Sequence, residues 1–555
     1  MADRWTTIHR GNPGAPGSTR ENEGVDVTDL RTPLPFAGAS TTADAGVKWA
    51  KIIDQERCIG CHACTTACKA ENEVPVGVSR TYVKSVDVGL FPEVRRNFQV
   101  TRCNQCVDAP CVTACPTSAM FKREDGIVDF DKESCIGCKA CIAACPYDAI
   151  FINPEDHSAE KCNFCAHRID MGMEPACVVV CPVEAIFVGD LNDPTSKVSH
   201  MVNREPVAVR RPEKDTKPKL FYRGAHATTL DPLAAERPTG DIFAWAQQAQ
   251  EDAHTINSGA APSTTSSSAA AIIAYDVGHN VPWDWRVGLY TWTKSISAGV
   301  YPVVAALVIL GTLDAGSLLW TVITPVIAGA FLAITGVVLI WDLEHPERFY
   351  YLLTRPQWKS WLVRGAVILG VYAAVLALHF VAGLLAQADA GAPLRWLALL
   401  GVPAAVMTGV YTAFLFAQAK ARDLWQNPLL PPHLAVQSIL AGSATLVPVG
   451  LVMGLGDAVL DALAWTVAVS ATVHLLMILG EVTLPHPTAH ARTAAHNLTS
   501  GRFKVPFRAG VALSVVALAA PVAPVLALPA AVAGLVGLWA FEHAYVQAGQ
   551  SVPLA

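Results

Sequence analysis

The sequence predicts an α+β domain followed by an all-α bundle of eight transmembrane helices. Two observations predict this division. All sixteen cysteines lie between Cys58 and Cys181, whereas long apolar runs dominate after Gly288. Over the 555 residues, 52% are hydrophobic and only 16% are charged, a composition too apolar for an ordinary soluble protein.

The cysteines form four sets of four, and none is left over. In each set, three closely spaced thiolates can bind three irons of one [4Fe–4S] cluster, while the fourth reaches a neighbouring cluster. Proline follows the fourth cysteine in three sets, at Pro116, Pro146 and Pro182, as this pattern requires. The sequence therefore predicts four [4Fe–4S] clusters. The four sets are Cys58, Cys61, Cys64 and Cys68; Cys103, Cys106, Cys111 and Cys115; Cys135, Cys138, Cys141 and Cys145; and Cys162, Cys165, Cys177 and Cys181.

Other uses of the cysteines fit the spacing less well. Disulfides need an oxidising compartment, and nothing at the N-terminus looks like an export signal. Structural zinc usually takes two separated Cys-x2-Cys pairs. The segment from Cys58 to His62 also matches the c-type haem attachment motif, but the first cluster set needs both of its thiols.

An internal repeat indicates how the cysteine-rich part is built. Cys115–Phe121, Cys145–Phe151 and Cys181–Phe187 follow one pattern, in which Cys-Pro is followed by three variable or small residues and ends in an apolar pair. Repetition of one small unit predicts tandem ferredoxin-like units.

Composition divides the chain into four segments. The first is rich in Gly, Pro, Thr and Asp, and the third contains Pro-, Lys- and Ser-rich stretches that cannot bury a core. The predicted segments are a flexible arm at 1–46, the ferredoxin-like domain at 47–209, a linker at 210–282 and the membrane anchor at 283–555.

Eight segments of the anchor are candidates for bilayer-spanning helices, which need about 20 mostly apolar residues. The last two meet at a junction crowded by Pro521, Pro524 and Pro529. The predicted spans are Leu289–Gly311, Leu319–Trp341, Trp361–Ala386, Trp396–Gln418, His433–Gly454, Ala458–Gly480, Phe507–Leu526 and Leu528–Val546.

Basic residues are unevenly distributed between the anchor loops. With eight spans, the cysteine domain, the even-numbered loops and the C-terminus share one side, and the odd-numbered loops hold Arg395 alone. Positive charge accumulates on the cytoplasmic side, so we expect a multi-pass protein of the cytoplasmic membrane whose iron–sulfur domain faces the cytoplasm. The net charge of −6, without a basic stripe, gives no indication of nucleic acid binding. The even-numbered loops hold Arg348, Arg355, Lys359, Lys420, Arg422, Arg492, Arg502 and Lys504.

Set for set, the cysteines resemble those of the four-cluster electron-transfer subunit of DMSO reductase-type molybdoenzymes, over about 150 residues. The resemblance implies how the sets combine, because the first and fourth sets share one ferredoxin unit and the second and third share the other. The implied ligand groups are Cys58, Cys61, Cys64 with Cys181; Cys162, Cys165, Cys177 with Cys68; Cys103, Cys106, Cys111 with Cys145; and Cys135, Cys138, Cys141 with Cys115.

The membrane half resembles the eight-helix polysulfide reductase-type quinone-binding anchor. The stretch from Asp342 to Trp361 with Arg364-Gly365, and the stretch from Trp425 to Pro431, carry this resemblance. It implies a natural fusion of two subunits that are usually separate. It also implies a bound quinone (menaquinone or ubiquinone) and no haem.

Polar residues inside spans are costly and are therefore functional candidates. A quinone needs an apolar slot with a few polar groups that bind its carbonyls and deliver protons. Several such residues lie on the side of the membrane where the clusters are expected. The predicted quinone-binding residues are Lys294, Asp342, His345, Gln437 and His474.

The leading hypothesis is a non-substrate subunit of a respiratory complex. It would relay electrons between a separate molybdopterin (Mo or W) catalytic subunit of formate or sulfite type and the membrane quinone pool. One alternative is an exported polysulfide, thiosulfate or tetrathionate reductase module that runs from quinol to substrate. Another is a subunit of an energy-converting quinol oxidoreductase, similar to alternative complex III, in which the anchor helps to move protons.

Overall fold

A computed structural model describes residues 46–89, 92–237, 271–386 and 391–555. The predicted arm lies outside these residues except for Gly46, and so does the central part of the predicted linker.

Eleven strands build four small sheets in the described part of the cysteine-containing half. The orders are β8-β1-β10-β9, β11-β2-β3, β4-β5 and β6-β7. In β1, successive side chains face opposite ways, so Ile52 packs on Val198 while Ile53 packs on the cysteine side, near Cys64. The strands are β1 Trp49–Asp54, β2 Thr81–Val88, β3 Arg95–Arg102, β4 Met120–Lys122, β5 Val128–Phe130, β6 Ile150–Ile152, β7 Ala159–Lys161, β8 Ile186–Asp190, β9 Val207–Ala208, β10 Leu220–Arg223 and β11 Ala271–Tyr275.

Short helices follow the cysteine loops. Helix α2 ends at Cys115, whose extended backbone precedes Pro116, because a residue before proline is disfavoured in helical conformation. The same ending recurs at Cys145 before Pro146. These helices are α1 Ala63–Glu71, α2 Pro110–Ala114, α3 Ala140–Ala144, α4 Ala166–Asp170, α5 Ala176–Val179, α6 Lys197–Arg204 and α7 Ala227–Leu230.

The described ends of the predicted linker are folded, which differs from the expectation of an open tether. Strand β10 pairs in parallel with β1, and β11 pairs antiparallel with β2. Both strands are short and gain their stability from pairing with strands distant in sequence, a contribution that local composition does not reveal. The ferredoxin-like half therefore includes residues from both described ends of the predicted linker.

The anchor is helical throughout its described length. Seven helices are long and apolar enough to span a membrane, judged over the described residues by length and composition. A π-helical turn at Leu319–Ile323 precedes the second of them. The helices are α8 Trp285–Ile309, α9 Thr324–Trp341, α10 Tyr351–Thr354, α11 Trp361–Ala386, α12 Gly391–Gln418, α13 Leu430–Met453, α14 Asp457–Thr483, α15 Ala489–Thr499, α16 Lys504–Ala517 and α17 Pro524–Gln550.

The last two predicted spans have different bounds in the structure. Helix α16 has 14 residues, about 21 Å at 1.5 Å per residue, which is shorter than a full bilayer crossing. Helix α17 has 27 residues and begins at Pro524, a position where proline is well tolerated. The predicted boundary between the two spans therefore lies too late in the sequence, and the eight-span count is not established by helix length.

The anchor begins and ends against the cysteine-containing half. Trp283, just before α8, donates its indole N–H to the Cys138 carbonyl oxygen (3.3 Å). At the other end of the anchor, Arg210 donates to the Leu554 carbonyl oxygen (2.7 Å). The first and last long helices therefore both have one end on the side that holds the cysteines.

Glycines let the two central helices of the anchor approach closely. A Cβ added at Gly299 on α8 would lie 1.7 Å from the Ser438 carbonyl oxygen, and one at Gly442 on α13 would lie 2.1 Å from the Gly299 carbonyl carbon. Small residues are the usual means of close helix packing in membranes. This contact holds the first half of the helical bundle against the second.

Candidate electron-transfer and quinone sites

The cysteine thiols nearest to the solvent-exposed end of the ferredoxin-like half form the first group. Burial raises the pKa of Cys58, and the neighbouring thiols of Cys181 and Cys61 raise it further. Cys64 is also close to Cys58 and Cys181, and its pKa rises to about 11 because it is buried. We call Cys58, Cys61, Cys64 and Cys181 group 1.

A second group forms immediately behind the first. Burial raises the pKa of Cys68 to about 12, and its thiol neighbours Cys162, Cys177 and Cys165 add to that shift. Burial alone would also raise the pKa of Cys177, but the cations Arg102 and Lys51 outweigh it and lower the pKa. We call Cys68, Cys162, Cys165 and Cys177 group 2.

The other eight cysteines divide between two further groups. Burial raises the pKa of Cys106 to about 12, with Cys103 and Cys145 as its nearest thiols, and Cys111 has the same neighbours. Burial also raises the pKa of Cys141, which lies beside Cys138, Cys135 and Cys115. Group 3 is Cys103, Cys106, Cys111 and Cys145, and group 4 is Cys115, Cys135, Cys138 and Cys141. In all four groups, the structure brings together the cysteines that the resemblance implied.

The donors around these groups fit [4Fe–4S] clusters. Backbone N–H groups donate to the sulfurs of Cys115, Cys135 and Cys181, from Met120 (3.3 Å), Gly137 (3.4 Å) and Ala185 (3.2 Å) respectively, and such bonds stabilise cluster thiolates. Among the described residues, no three His, Cys, Asp or Glu side chains converge on a single ion.

The loop between α9 and α11 locks the anchor onto group 4. Arg348 donates to the carbonyl oxygens of Lys132 (3.0 Å) and Cys135 (2.9 Å). Gly137, at φ +69°, lies so close that an added Cβ would be 2.3 Å from Glu344 Cβ. Only glycine accepts both the left-handed backbone and this approach. This contact holds Cys138 against the end of the membrane half that faces group 4.

His345, a predicted quinone ligand, belongs to the same docking loop. Its Nε2 lies 2.9 Å from the Asp156 carbonyl oxygen and its Nδ1 lies 3.0 Å from Glu347 Oε1. Both ring nitrogens thus have protein partners. The structure places His345 between the two halves and outside the lining of the cavity described next.

A cavity of about 110 Å³ lies where the membrane half meets group 4. Its walls come from α8, α9, α11 and α12, and Cys138 closes one side. The lining is mostly apolar, with two tyrosines and one carboxylate. The lining includes Cys138, Trp283, Tyr290, Asp342, Leu369 and Tyr411.

Asp342 is the predicted quinone ligand that lines this cavity. It lies at the end of α9, 3.4 Å from Arg286 Nε and 3.9 Å from Lys139 Nζ. Burial raises its pKa to about 6, although Lys139 and Arg286 oppose the shift. A carboxyl group with a pKa near neutrality can accept or donate a proton at physiological pH.

Lys294 lies below the cavity, one turn deeper on α8. Its ammonium group donates to the Gly409 carbonyl oxygen (2.7 Å) and to the Thr412 hydroxyl (2.8 Å). It also lies 5.3 Å from the centre of the Tyr411 ring, which belongs to the cavity wall. Lys294 therefore contacts the cavity through Tyr411 and does not line it.

Gln437 and His474, the other two predicted ligands, lie in the second half of the helical bundle. His474 Nδ1 is 2.8 Å from His433 Nε2, and His433 Nδ1 is 2.9 Å from Glu481 Oε1. Within the described residues, His474 Nε2 and Gln437 Oε1 are buried and have no hydrogen-bond partner. The structure therefore separates these two residues from the cavity and places them beside a second set of polar groups.

Sequence reasoning missed the aromatic part of the cavity. Tyr290, Tyr411 and Trp283 line it, but the search for charged groups within apolar spans passed over them. Their position near the cluster-facing ends of spans was a usable signal, because tyrosine and tryptophan combine an apolar ring with a polar atom.

Comparison with known proteins defines both halves. A 4Fe-4S binding domain model matches residues 49–70, a 4Fe-4S dicluster domain model matches residues 94–191, and the model for polysulphide reductase, NrfD, matches residues 276–550. The protein is therefore an iron–sulfur protein fused to a membrane domain of the NrfD type.

Curated relatives cover the first half of the chain. A subunit of the tetrathionate reductase of Salmonella typhimurium is 42% identical over 204 residues, which are 36% of this chain and 82% of the relative. A chain of the polysulfide reductase of Wolinella succinogenes is 43% identical over 177 residues, 31% of this chain and 93% of the relative. The arsenate respiratory reductase iron–sulfur subunit ArrB of a Shewanella species is 36% identical over 219 residues, 31% of this chain and 94% of the relative. The protein belongs to this family of reductase iron–sulfur subunits, with an NrfD-type polysulphide reductase domain joined to its C-terminal side.

Proposed function

We propose that this protein relays electrons between a catalytic partner subunit and a quinone bound in the cavity at group 4. One observation carries the proposal: Cys138, a proposed cluster ligand by its place in the third cysteine set, forms part of the wall of a cavity otherwise lined by residues of the anchor. An apolar cavity with a few polar groups suits a quinone. The hydroxyls of Tyr290 and Tyr411 would donate hydrogen bonds to its carbonyl oxygens, and Asp342 would donate one in its protonated form.

The four groups support a linear path of four [4Fe–4S] clusters. Group 1 meets group 2 through Cys64 and Cys177, and group 2 meets group 3 through Cys162 and Cys103. Group 3 meets group 4 through Cys111, next to Cys141. Group 4 reaches the cavity through Cys138. The two inner clusters thus have a neighbour on either side and the two outer ones have a single neighbour, as a linear electron relay requires.

The exposed end of this path is the proposed docking surface of the partner. Cys61 is exposed, Ile59 two residues before it is 56% exposed, and Val179, which is 62% exposed, lines a surface cleft together with Cys181 of the same group. Large apolar side chains exposed together indicate an interaction surface. A molybdopterin (Mo or W) subunit docked here would exchange electrons with group 1.

The names of the relatives favour one direction of flow. Those named above belong to reductases of tetrathionate, polysulfide and arsenate. Electron flow from quinol to substrate would suit such a reductase, so the names favour the direction of the reductase alternative over formate or sulfite oxidation. The basic even-numbered loops favour a cytoplasmic iron–sulfur half, so only the direction of that alternative is adopted and its export is not. Purifying the protein together with its partner subunit and identifying that subunit would distinguish a reductase of this kind from a formate or sulfite oxidase.

We propose eight membrane crossings. The anchor begins near Cys138 and ends near Arg210, on one side, so an even number of crossings is needed. Helix α16 is the natural eighth, because it packs along α17 and connects α15 with the start of α17. An epitope inserted at Val522, between α16 and α17, should then be accessible from the side opposite to one inserted at Ser500, before α16. Accessibility of both from one side would contradict the eight-crossing topology.

The quinone proposal is tested by filling the cavity. Leu369→Trp places a larger side chain into the cavity wall. Leu378→Trp is the matched control, because Leu378 lies on the same helix and is 59% exposed. Quinol-driven reduction of the iron–sulfur absorbance should slow at least about tenfold in the first variant and stay unchanged in the second, with iron content constant in both. Equal rates in the two variants would place the quinone elsewhere.

A second candidate function, proton movement by the anchor, is favoured by the hydrogen-bonded series of Glu481, His433 and His474. Two hydrogen bonds link these buried groups from the cluster-facing end of α14 toward its interior. Hydrogen-bonded histidines and carboxylates in membranes are frequent parts of proton relays. His433→Gln in liposomes should reduce quinone-linked proton movement more than electron transfer. Equal loss of both would assign this series to the stability of the bundle.

A further inference from the structure

Arg102 carries a buried positive charge that points at a cysteine sulfur. It is the last residue of β3, is 2% exposed, and donates from Nη1 to Cys177 Sγ at 2.9 Å. Its Nε and Nη2 are buried without a hydrogen-bond partner in the described part of the chain. A guanidinium group normally satisfies its donors, so this orientation needs a reason.

A second buried cation approaches the same sulfur. Lys51, on β1, is 2% exposed and its Nζ lies 3.9 Å from Cys177 Sγ and 4.0 Å from the centre of the Phe164 ring. Neither Lys51 nor Arg102 has a carboxylate oxygen within 4.0 Å among the residues that the structure describes. Buried charges without an opposite charge are strongly disfavoured, so the compensating anion lies with the sulfurs.

The guanidinium also lies between two cysteine groups. Its charge acts on Cys58 and Cys64 of group 1 and on Cys68 and Cys177 of group 2. At the other end of the path, the nearest charged side chain acting on Cys138 is the carboxylate of Asp342. That carboxylate is itself paired with Lys139 and Arg286, and the buried Lys161 acts on Cys103 and Cys111 of group 3. Group 2 differs from the other groups because two buried cations, Arg102 and Lys51, approach one of its sulfurs.

We propose that Arg102, with Lys51, raises the reduction potential of the group 2 cluster and makes it the site where electrons accumulate in the relay. A fixed positive charge in a low-dielectric interior favours the more negative, reduced form of a neighbouring redox centre. Arg102 thus acts by placing a fixed positive charge beside the cluster, and it does not contact quinone or substrate. Its asymmetric placement favours electron transfer away from the cavity and toward the docking surface of the partner.

The inference rests on the proposed cluster assignment, and the test is a redox titration of the full-length chain followed by electron paramagnetic resonance. In Arg102→Gln, the reduction equilibrium of one cluster should shift about tenfold or more toward the oxidised form, which is 59 mV for a one-electron couple. Arg102→Lys, which keeps the charge, should retain most of the wild-type potential. Lys51→Gln should shift the same signal in the same direction by a smaller factor.

Arg96→Gln is the matched control, because Arg96 lies on the same strand but is exposed and paired with Asp87. It should leave all potentials unchanged. Unchanged potentials in an iron-replete Arg102→Gln variant would overturn the inference, and so would an equal shift in Arg96→Gln. If Arg102→Gln loses iron, its potentials cannot be compared with those of the wild type, and Lys51→Gln is the deciding variant. An unchanged reduction potential in Lys51→Gln with full iron content would also overturn the inference. Fewer than four clusters in the wild-type protein would instead refute the proposed function on which the inference rests.

Discussion

The two halves of the molecule compensate buried charge in different ways. In the ferredoxin-like half, buried ions meet opposite ions: Arg80 pairs with Glu160, and Arg237 with Asp276. In the membrane half, Lys294 is held by a carbonyl oxygen and a hydroxyl. Glu542 likewise accepts from the hydroxyls of Thr291 (3.0 Å) and Ser295 (3.5 Å).

The difference separates charges that hold the fold from charges that are available for chemistry. A direct ion pair with arginine fixes two side chains, and the guanidinium group does not release its proton. A charge held only by neutral donors and acceptors can change its protonation without breaking an ion pair. Arg102 and Lys51 form a third case, because the anion that they face is a set of cysteine sulfurs.

The largest expected effect comes from removing the anion that Arg102 and Lys51 face. Cys177→Ser takes away one proposed ligand of group 2, so one of the four proposed clusters should be lost, about four irons of sixteen. Quinone-linked electron transfer should fall by more than about a hundredfold, because the relay is then interrupted. Iron analysis and turnover measure the two effects.

Val179→Ser is the control for that change. Val179 lies on the same short helix and is 62% exposed, so this variant should keep its full iron content. Retention of all iron in Cys177→Ser would contradict the assignment of Cys177 as a ligand.

The second prediction concerns the stability lost when a direct buried ion pair is broken. Arg80→Met removes one partner of the Arg80–Glu160 pair, whose side chains are 7% and 1% exposed. Glu160 would keep only the Asn153 amide (3.1 Å) and the more distant Lys132 (3.6 Å). Breaking a buried pair should lower the free energy of unfolding of the ferredoxin-like half by about 3–5 kcal/mol. Denaturant unfolding measures it, and a change below about 1 kcal/mol would mean that the pair behaves like a surface ion pair.

Lys294→Met tests a buried charge of the membrane half that is held by neutral hydrogen-bond partners. Lys294 has no carboxylate oxygen within 4.0 Å among the described residues, although its charge acts on the buried Glu542, so its replacement should cost less stability than breaking the direct Arg80–Glu160 pair. We propose that Lys294 transfers protons to the cavity beside Tyr411, so quinone-linked turnover should fall about a hundredfold. Thermal unfolding and turnover are measured on the same preparation. Full turnover would mean that Lys294 only holds α12 against α8.

The sequence indicates the cysteine sets more readily than the cavity, and the reason is physical. Three proposed cluster ligands follow one another at fixed short spacings, so Cys135, Cys138 and Cys141 are visible as a set without knowledge of the fold, whereas the pairing of sets came from the family resemblance. The cavity is assembled by packing: Tyr290 and Tyr411 come from helices far apart in sequence, and Cys138 comes from the other half of the chain. No local sequence pattern indicates that these residues line one cavity.

The differences between prediction and structure have a similar origin. His345 has the residue type of a quinone ligand, but one ring nitrogen contacts the Asp156 carbonyl oxygen across the junction and the other contacts Glu347 of the same loop. The strand β10 was hidden in an apparently open linker because its stability comes from pairing with β1. In each case, a partner distant in sequence decides what the residue does.

The smallest predicted effect is a pH dependence at the entrance to the anchor. His279 precedes α8 and lies 2.5 Å from Asp148 and 3.2 Å from Asp276. Burial alone would lower its pKa, but the two carboxylates outweigh burial and raise the pKa to about 9, from an ordinary value of 6.5. Because the pKa is higher in the folded state, this group stabilises the fold fully below about pH 6.5 and loses that contribution as the pH rises through about 9.

His279→Gln should therefore lower the free energy of unfolding by about 2 kcal/mol at pH 6, the typical range for a hydrogen bond to a charged group. The difference between wild type and variant should shrink steadily between pH 7 and pH 10. Taking that difference at each pH removes the contribution of other titrating groups, because they are common to both proteins. A difference that stays constant with pH would show that His279 stabilises the junction through its shape, and it would remove this residue from the set of charges that hold the ferredoxin-like half together.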